Sequence, residues 1–146
     1  MDGRQALADF GFRTMNQLHR SILRATGGRV LSRPFGMPVV ELTTVGRRSG
    51  RRRTTMLTAP VVDGERVVLV ASKGGDDRDP DWFRNLLANP EVELTLEGRT
   101  RQMMARRATP EEKATLWPQV VAAYKGYGGY QARTQRDIPV VVCDPA

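Results

Sequence analysis

Asp63-Gly64 lies between two stretches rich in β-branched residues, 53–62 (RTTMLTAPVV) and 65–71 (ERVVLVA). This pattern predicts a β-hairpin, because an Asp-Gly pair readily supplies the positive φ that a tight, right-twisted connection needs. A hairpin makes its strands antiparallel, which no strand–helix–strand unit does. The same reading recurs along the chain. Residues 38–44 (PVVELTT) predict a strand that runs into an arginine-rich loop. Residues 91–97 put Val92, Leu94 and Leu96 on one face of a half-buried strand; Gly98 then turns the chain and residues 99–107 return. Residues 138–143 (IPVVVC) predict a last, buried strand. The sum is about six strands, mostly joined by short turns.

Helices fill the gaps between these strands. Asp79-Pro80 reads as an N-cap followed by proline at the first helical position, with the helix running on through Asp81 to Leu87 and stopping before Pro90. Thr109-Pro110-Glu111-Glu112 reads as a capping box opening a helix that carries Trp117. The expected fold is α+β, mainly β: an antiparallel sheet curled into a small barrel with helices packed outside.

The 146 residues suit one domain. Residues 4–25 predict an additional helix, with Leu7, Phe10, Met15, Leu18 and Ile22 on one side and Arg4, Arg13, Arg20 and Arg24 on the other. The expected organisation is therefore an N-terminal amphipathic helix in 1–30 and a barrel domain in 31–146. A basic amphipathic helix can lie on a membrane surface; packing on its own domain is the preferred reading. There is no apolar stretch of the roughly 18 residues that a membrane-spanning helix needs. Nor does the start of the chain carry the apolar core of a signal peptide. The expected location is the cytoplasm, with peripheral membrane contact through the N-terminal helix as a rider.

Charge narrows the function. The net charge is +7, and 20 of the 23 basic residues are arginine. Five of them, Arg47, Arg48, Arg51, Arg52 and Arg53, fall within seven residues; without them the net charge would be +2. The excess is thus one patch, set among Gly46, Ser49 and Gly50. Glycines let backbone amides approach a ligand, and arginines offer bidentate donors to phosphate or carboxylate, so the loop reads as an anion cradle at a strand end. It is not a phosphate-binding G-x-x-x-x-G-K-[ST] loop. Nucleic acid is disfavoured as its ligand, since aromatic residues make up only 6% of the chain and do not interleave with the arginines.

Three weaker features accompany the loop. Ser72 and Lys73 leave an apolar strand just before Gly74-Gly75, where a ligand can come close. Trp82 and Asn85 lie at the start of the predicted helix; for Trp82 a core position is the commoner fate. Tyr124, Tyr127 and Tyr130 are the only tyrosines, and Gly126, Gly128 and Gly129 separate them, a composition that suggests a mobile lid with phenol donors. Other chemistries are excluded. His19 is the sole histidine and Cys143 the sole cysteine, so a Ser-His-Asp triad, a histidine-rich metal site and a disulfide have no materials. Cys143 reads as a buried strand thiol. No metal is expected.

The ordered blocks LTTVGRRSGRRR, VLVASKGG, DPDWFRNLLANPEV, ATPEEKATLWPQVVAAYKGYGGYQ and IPVVVCDP resemble the deazaflavin-dependent nitroreductase family over about residues 38–145. That resemblance implies a split β-barrel and coenzyme F420, an 8-hydroxy-5-deazaflavin with a phosphate and an oligoglutamate tail. It implies that Arg47, Arg48 and Arg53 meet the tail and phosphate, that Ser72 and Lys73 lie by the ring or its linker, and that Trp82 and Asn85 complete the cofactor wall. It places Tyr124, Tyr127 and Tyr130 on the substrate side, with Tyr130, Tyr127 or Ser72 as the group that hydrogen-bonds or protonates an acceptor. The chain departs from relatives at Met56, where some have proline, and at Asp81, where one has an apolar residue. The implied activity is hydride transfer to a quinone, enone or nitroaromatic. The alternatives are a non-catalytic deazaflavin carrier and FMN as the cofactor, which would leave the arginine excess partly unexplained. A homodimer is compatible with all of these.

Overall fold

The computed structural model describes residues 36–146; the predicted N-terminal helix and the 1–30 segment lie outside the described residues. Seven strands form one sheet: β1 (Val39–Val45), β2 (Arg52–Thr58), β3 (Val61–Asp63), β4 (Arg66–Val70), β5 (Glu91–Leu96), β6 (Arg99–Arg107) and β7 (Val140–Pro145). Their order is β2-β1-β5-β6-β7-β4-β3, and every pairing is antiparallel. Three helices accompany them: α1 (Asp81–Ala88), α2 (Pro110–Ala123) and α3 (Gly126–Arg133).

The two edges of the sheet, β2 and β3, are consecutive in the chain. Thr58 and Val61 are three residues apart, so their Cα atoms lie within about 11 Å. In a flat sheet the six steps between these edges would span about 29 Å. The sheet must therefore curl until its edges approach, which is the expected barrel. The unbroken strand predicted over 53–62 needs correction. Pro60 has no N–H to give a ladder, and the run breaks at Ala59-Pro60. Ala59 N instead donates to Pro38 O at 2.9 Å. One half pairs with β1 and the other with β4, which makes seven strands rather than six. The hairpin at Asp63-Gly64 forms as expected: Asp63 pairs with Arg66, and Gly64 takes φ +60°.

β4 and β7 are buried on both faces, which explains their unbroken apolar runs. Val67, Leu69, Val141 and Cys143 face the interior with Val40, Leu42, Val92, Leu94 and Met103. Helix α1 closes that interior with Trp82, Phe83 and Leu86. Val68, Val70, Val140 and Val142 face outward, where Val120 of α2 and Tyr127 of α3 cover them. Burial holds the Cys143 thiol protonated, its pKa pushed up to about 12; it is a core group, as predicted.

The caps divide. Thr109 forms the predicted capping box: Glu112 N donates to its Oγ1 at 3.2 Å, and its own N–H donates to Glu112 Oε1 at 2.9 Å. Asp79 does not cap α1. Pro80 occupies that position in extended geometry with no side-chain bond, and the helix starts at Asp81. The Asp79 carboxylate accepts from Arg136 Nη1 at 3.0 Å instead.

Candidate cofactor and acceptor site

The successive antiparallel pairings β1–β5–β6–β7–β4 make β1 and β4 run in the same direction. The arginine loop after β1 and the Ser72-Lys73 turn after β4 therefore leave the same end of the barrel. This brings together two motifs more than twenty residues apart in sequence.

The arginine loop is closed by its own backbone: Gly46 N donates to Arg51 O at 2.7 Å, and Gly50 N to Gly46 O at 2.9 Å. A Cβ on Gly46 would sit 2.6 Å from Ser49 Oγ and 3.3 Å from Arg51 O, so the close approach requires glycine. The five arginines are not equivalent. Arg52 pairs with Glu93 on the outer face of the sheet. Arg47 turns toward α1, where its backbone N–H and Nη1 donate to Asn85 Oδ1 at 3.2 and 2.9 Å, and its Nη2 lies 3.4 Å from Asp81 Oδ1. Arg48, Arg51 and Arg53 are exposed, and their guanidinium groups have no hydrogen bond or ion pair among the described residues. Three exposed cations within six residues and without counter-charge can attract an anion.

Asn85 is the buried hinge of this arrangement. It is 4% exposed; while Oδ1 holds Arg47, its Nδ2 donates to Oγ1 of the buried Thr44 at 3.2 Å. Its polar atoms are thus engaged within the protein, and its work is to fasten the arginine loop to α1. Trp82 is 7% exposed and packs edge-on to Phe83 in the interior cluster, the core position that competed with a ligand-wall reading.

The second loop is built differently. Ser72 is 8% exposed, and its hydroxyl has no hydrogen-bond partner among the described residues. A buried, unpartnered hydroxyl is costly in a folded protein and marks a place for a ligand or water. Lys73, Gly74 and Gly75 follow with φ of 45°, 65° and 84°. A left-handed lysine costs about 1–2 kcal/mol, strain of the kind that concentrates at functional loops. Gly75 abuts α3: a Cβ there would lie 2.9 Å from Tyr130 O. The carbonyls of this loop converge on Arg136, whose place in TQRDIP carries no local signal that sequence reading could use.

Tyr127 and Tyr130 lie on α3 and Tyr124 at the end of α2, with the three rings in mutual edge-to-face contact, their centroids 5.4, 6.0 and 6.3 Å apart. The three glycines do not leave the segment irregular. A Cβ on Gly126 would come within 2.4 Å of the Tyr124 ring, so this glycine makes room for the cluster. The segment expected to be a mobile lid forms a short helix whose rings pack against one another and against the outer side of the sheet. Tyr127 is 5% exposed and shares a 2.8 Å hydrogen bond with Thr58. Burial raises the Tyr127 pKa, against the Thr58 bond; burial, then the hydrogen bond to Tyr124, raises that of Tyr130. Both phenols therefore keep their protons near neutral pH and can donate hydrogen bonds. Tyr124 and Tyr130 are only partly buried.

A cavity of about 470 Å³ lies at the opposite end, lined by Met37, Pro38, Ala59, Pro60, Leu96 and Ala123 among others. It is separate from the arginine loop. Among the described residues there is no group of three or more His, Cys, Asp or Glu that could hold a metal, and no helix long and apolar enough to cross a membrane.

A curled antiparallel barrel with unpaired arginines, an unpartnered serine and a phenol cluster is a split β-barrel that offers cationic and polar groups to an anionic ligand. Comparison with known proteins makes this specific. The family model for F420H(2)-dependent quinone reductases matches residues 15–145. An F420H(2)-dependent quinone reductase of Mycobacterium tuberculosis is 42% identical over 131 residues, which cover 86% of this chain and 87% of that protein. Among solved structures, an F420-H2-dependent reductase is 37% identical with a TM-score of 0.67, over 73% of this chain and 94% of that one. A further solved structure, described only as a domain-swapped dimer, is 35% identical with a TM-score of 0.70, over 88% of this chain and 94% of that one. The chain belongs to the F420H(2)-dependent quinone reductase family.

Proposed function

We propose that this protein takes a hydride from reduced coenzyme F420 and delivers it to a quinone. The observation that carries the reading is the set of unpaired cations Arg48, Arg51 and Arg53 at the barrel end that also holds the unpartnered Ser72 hydroxyl. A phosphate with an oligoglutamate tail matches the first feature, and a polar ring edge matches the second. FMN carries a phosphate but lacks the acidic tail, and would leave part of the arginine excess without a counter-charge.

In this reading Arg48 and Arg53 bind the tail and phosphate, and Arg47 joins them from its Asn85 anchor. Ser72 and Lys73 border the ring, and Trp82 supports the wall from the core. When bound, the reduced coenzyme supplies a hydride, an electron pair moving in one step. A quinone that accepts a hydride carries negative charge on oxygen, and one proton completes the hydroquinone. Tyr130 is the better placed donor for that proton: Tyr127 is more deeply buried and already bonded to Thr58. Tyr124 walls the acceptor side.

The test is a titration with oxidised F420 beside FMN, followed by oxidation of reduced F420 with a panel of soluble quinones and nitroaromatics. Saturable F420 binding with quinone-dependent turnover is expected. Tight binding with no turnover on any acceptor would favour a carrier, and no binding at low salt would refute the reading. A homodimer is the proposed assembly, prompted by the neighbour described as a domain-swapped dimer; light scattering of the purified chain decides it.

A further inference from the structure

Arg136 sits where α3, β7 and the loop before α1 meet, and the proposed chemistry leaves it without a role. Its side chain is 15% exposed, and every guanidinium nitrogen donates a hydrogen bond. Nε donates to Asp76 O at 2.8 Å and Nη1 to Asp79 Oδ1 at 3.0 Å. Nη2 donates to Ala71 O at 3.1 Å and Ser72 O at 2.9 Å. Three of these four acceptors are backbone carbonyls of the loop that carries Ser72 and Lys73.

The residue is itself held from the other side. Its N–H donates to Thr134 Oγ1 at 3.3 Å, and that hydroxyl donates to Asp77 Oδ1 at 2.7 Å. Its carbonyl accepts from Gln131 Nε2 at 2.7 Å, and Gln131 Oε1 accepts from Ile138 N at 3.0 Å. Gln131 belongs to α3 and follows Tyr130 directly. One cation thus ties the Ser72 loop to the tyrosine helix and, through Asp79, to the start of α1.

We infer that Arg136 is a positioning residue for hydride transfer. It touches neither reactant in the proposed site; it fixes the loop beside the ring relative to the helix beside the acceptor. The inference rests on the deazaflavin reading above. Hydride transfer needs its reacting atoms at about 3–3.5 Å, and a misplacement of about 1 Å can cost roughly a hundredfold in rate. Charge-assisted bonds from a planar fork suit such a task, and lysine cannot reproduce their geometry. The anion-binding arginines sit on a different loop, so tail affinity and transfer rate separate.

The experiment uses the full chain with Arg136→Lys, Arg136→Gln and the milder Asp79→Asn, which removes the charge of one partner only. Amide exchange over 71–79 is measured without ligand, affinity by F420 fluorescence, and the rate by single-turnover oxidation of reduced F420 with a soluble quinone. Exchange in the loop should speed at least about tenfold in Arg136→Gln. The rate should fall about 30- to 100-fold while affinity changes less than about threefold, with Arg136→Lys between wild type and Arg136→Gln. Asp79→Asn should lower the rate about three- to tenfold, and it keeps the inference testable if the Arg136 variants do not fold. Unchanged loop exchange, or equal losses of rate and affinity, would overturn the inference. Failure of the wild-type chain to bind F420 would instead sink the deazaflavin reading, while the exchange data would still decide whether Arg136 clamps the loop.

Discussion

Replacing Asn85 with alanine would test how the arginine loop is held. The change removes two hydrogen bonds accepted from Arg47, at 3.2 and 2.9 Å, and one donated to Thr44, at 3.2 Å. Thr44 is 1% exposed and Asn85 4%, so water has little access to replace what is lost. A net hydrogen bond contributes about 1 kcal/mol, and an orphaned buried partner costs about 1–3 kcal/mol. Two effects soften the loss: the Arg47 guanidinium keeps Asp81 at 3.4 Å, and the Thr44 hydroxyl can rotate. The expected cost is therefore about 2–3 kcal/mol, read by urea denaturation; at roughly 3–5 °C per kcal/mol this lowers Tm by about 6–15 °C. Asn85→Asp should behave differently. Its carboxylate still accepts both Arg47 bonds and can accept from the Thr44 hydroxyl, so stability stays within about 1 kcal/mol of wild type. The added negative charge beside Arg47 should nevertheless weaken F420 binding. A melting point for Asn85→Ala within about 1 °C of wild type would refute the claim that Asn85 fastens the loop.

Other outcomes follow from the same geometry. Arg48→Ala with Arg53→Ala should lower F420 affinity at least about tenfold and flatten its salt dependence, with Tm unchanged because neither side chain is paired within the described protein; titrations at two salt concentrations check this. Gly75→Ala should destabilise by at least about 2 kcal/mol, since φ is 84° and the new Cβ would meet Tyr130 O at 2.9 Å; chemical denaturation measures it. The Arg106 hydrogen bond and the capping box hold Glu112 at a pKa of about 2, below its ordinary 4.5. A depressed carboxylate stabilises the fold above its unfolded pKa, so this contribution is complete above about pH 4.5 and is lost as pH falls toward 2. Glu112→Gln should cost about 1–2 kcal/mol at pH 7 and reduce the slope of stability against pH in that window, followed by denaturation at stepped pH. Tyr130→Phe should slow single-turnover quinone reduction more than Tyr127→Phe does, and the reverse order would reassign the proton donor.

Much of the fold was legible because its signals are local. Asp63-Gly64, the capping box at Thr109, the alternation of Val92 and Leu94 and the apolar runs of β4 and β7 each act within a few residues. Two local readings failed for reasons just as physical. Pro60 ended a ladder that the residue types around it favoured, and Asp79 found a stronger partner in Arg136 than in a helix N-terminus. The ring cluster of the tyrosine segment was not legible: Gly126 makes room for the Tyr124 ring, a contact that composition does not encode.

By itself, then, the sequence determined the antiparallel pattern, the concentration of positive charge in one loop and, through five ordered blocks, the family. Local propensity, turn chemistry and composition are properties of short stretches, and they survive without a fold. Only the tertiary structure decided how the arginines divide their work: Arg52 faces Glu93, Arg47 faces Asn85, and Arg48, Arg51 and Arg53 are left unpaired. It also decided that Asn85 holds a loop and that Arg136 gathers the Ser72 turn. Those roles rest on partners 38 to 65 residues away. A hydrogen bond depends on angstrom distances in space, and spacing along the chain does not encode them until the barrel has closed.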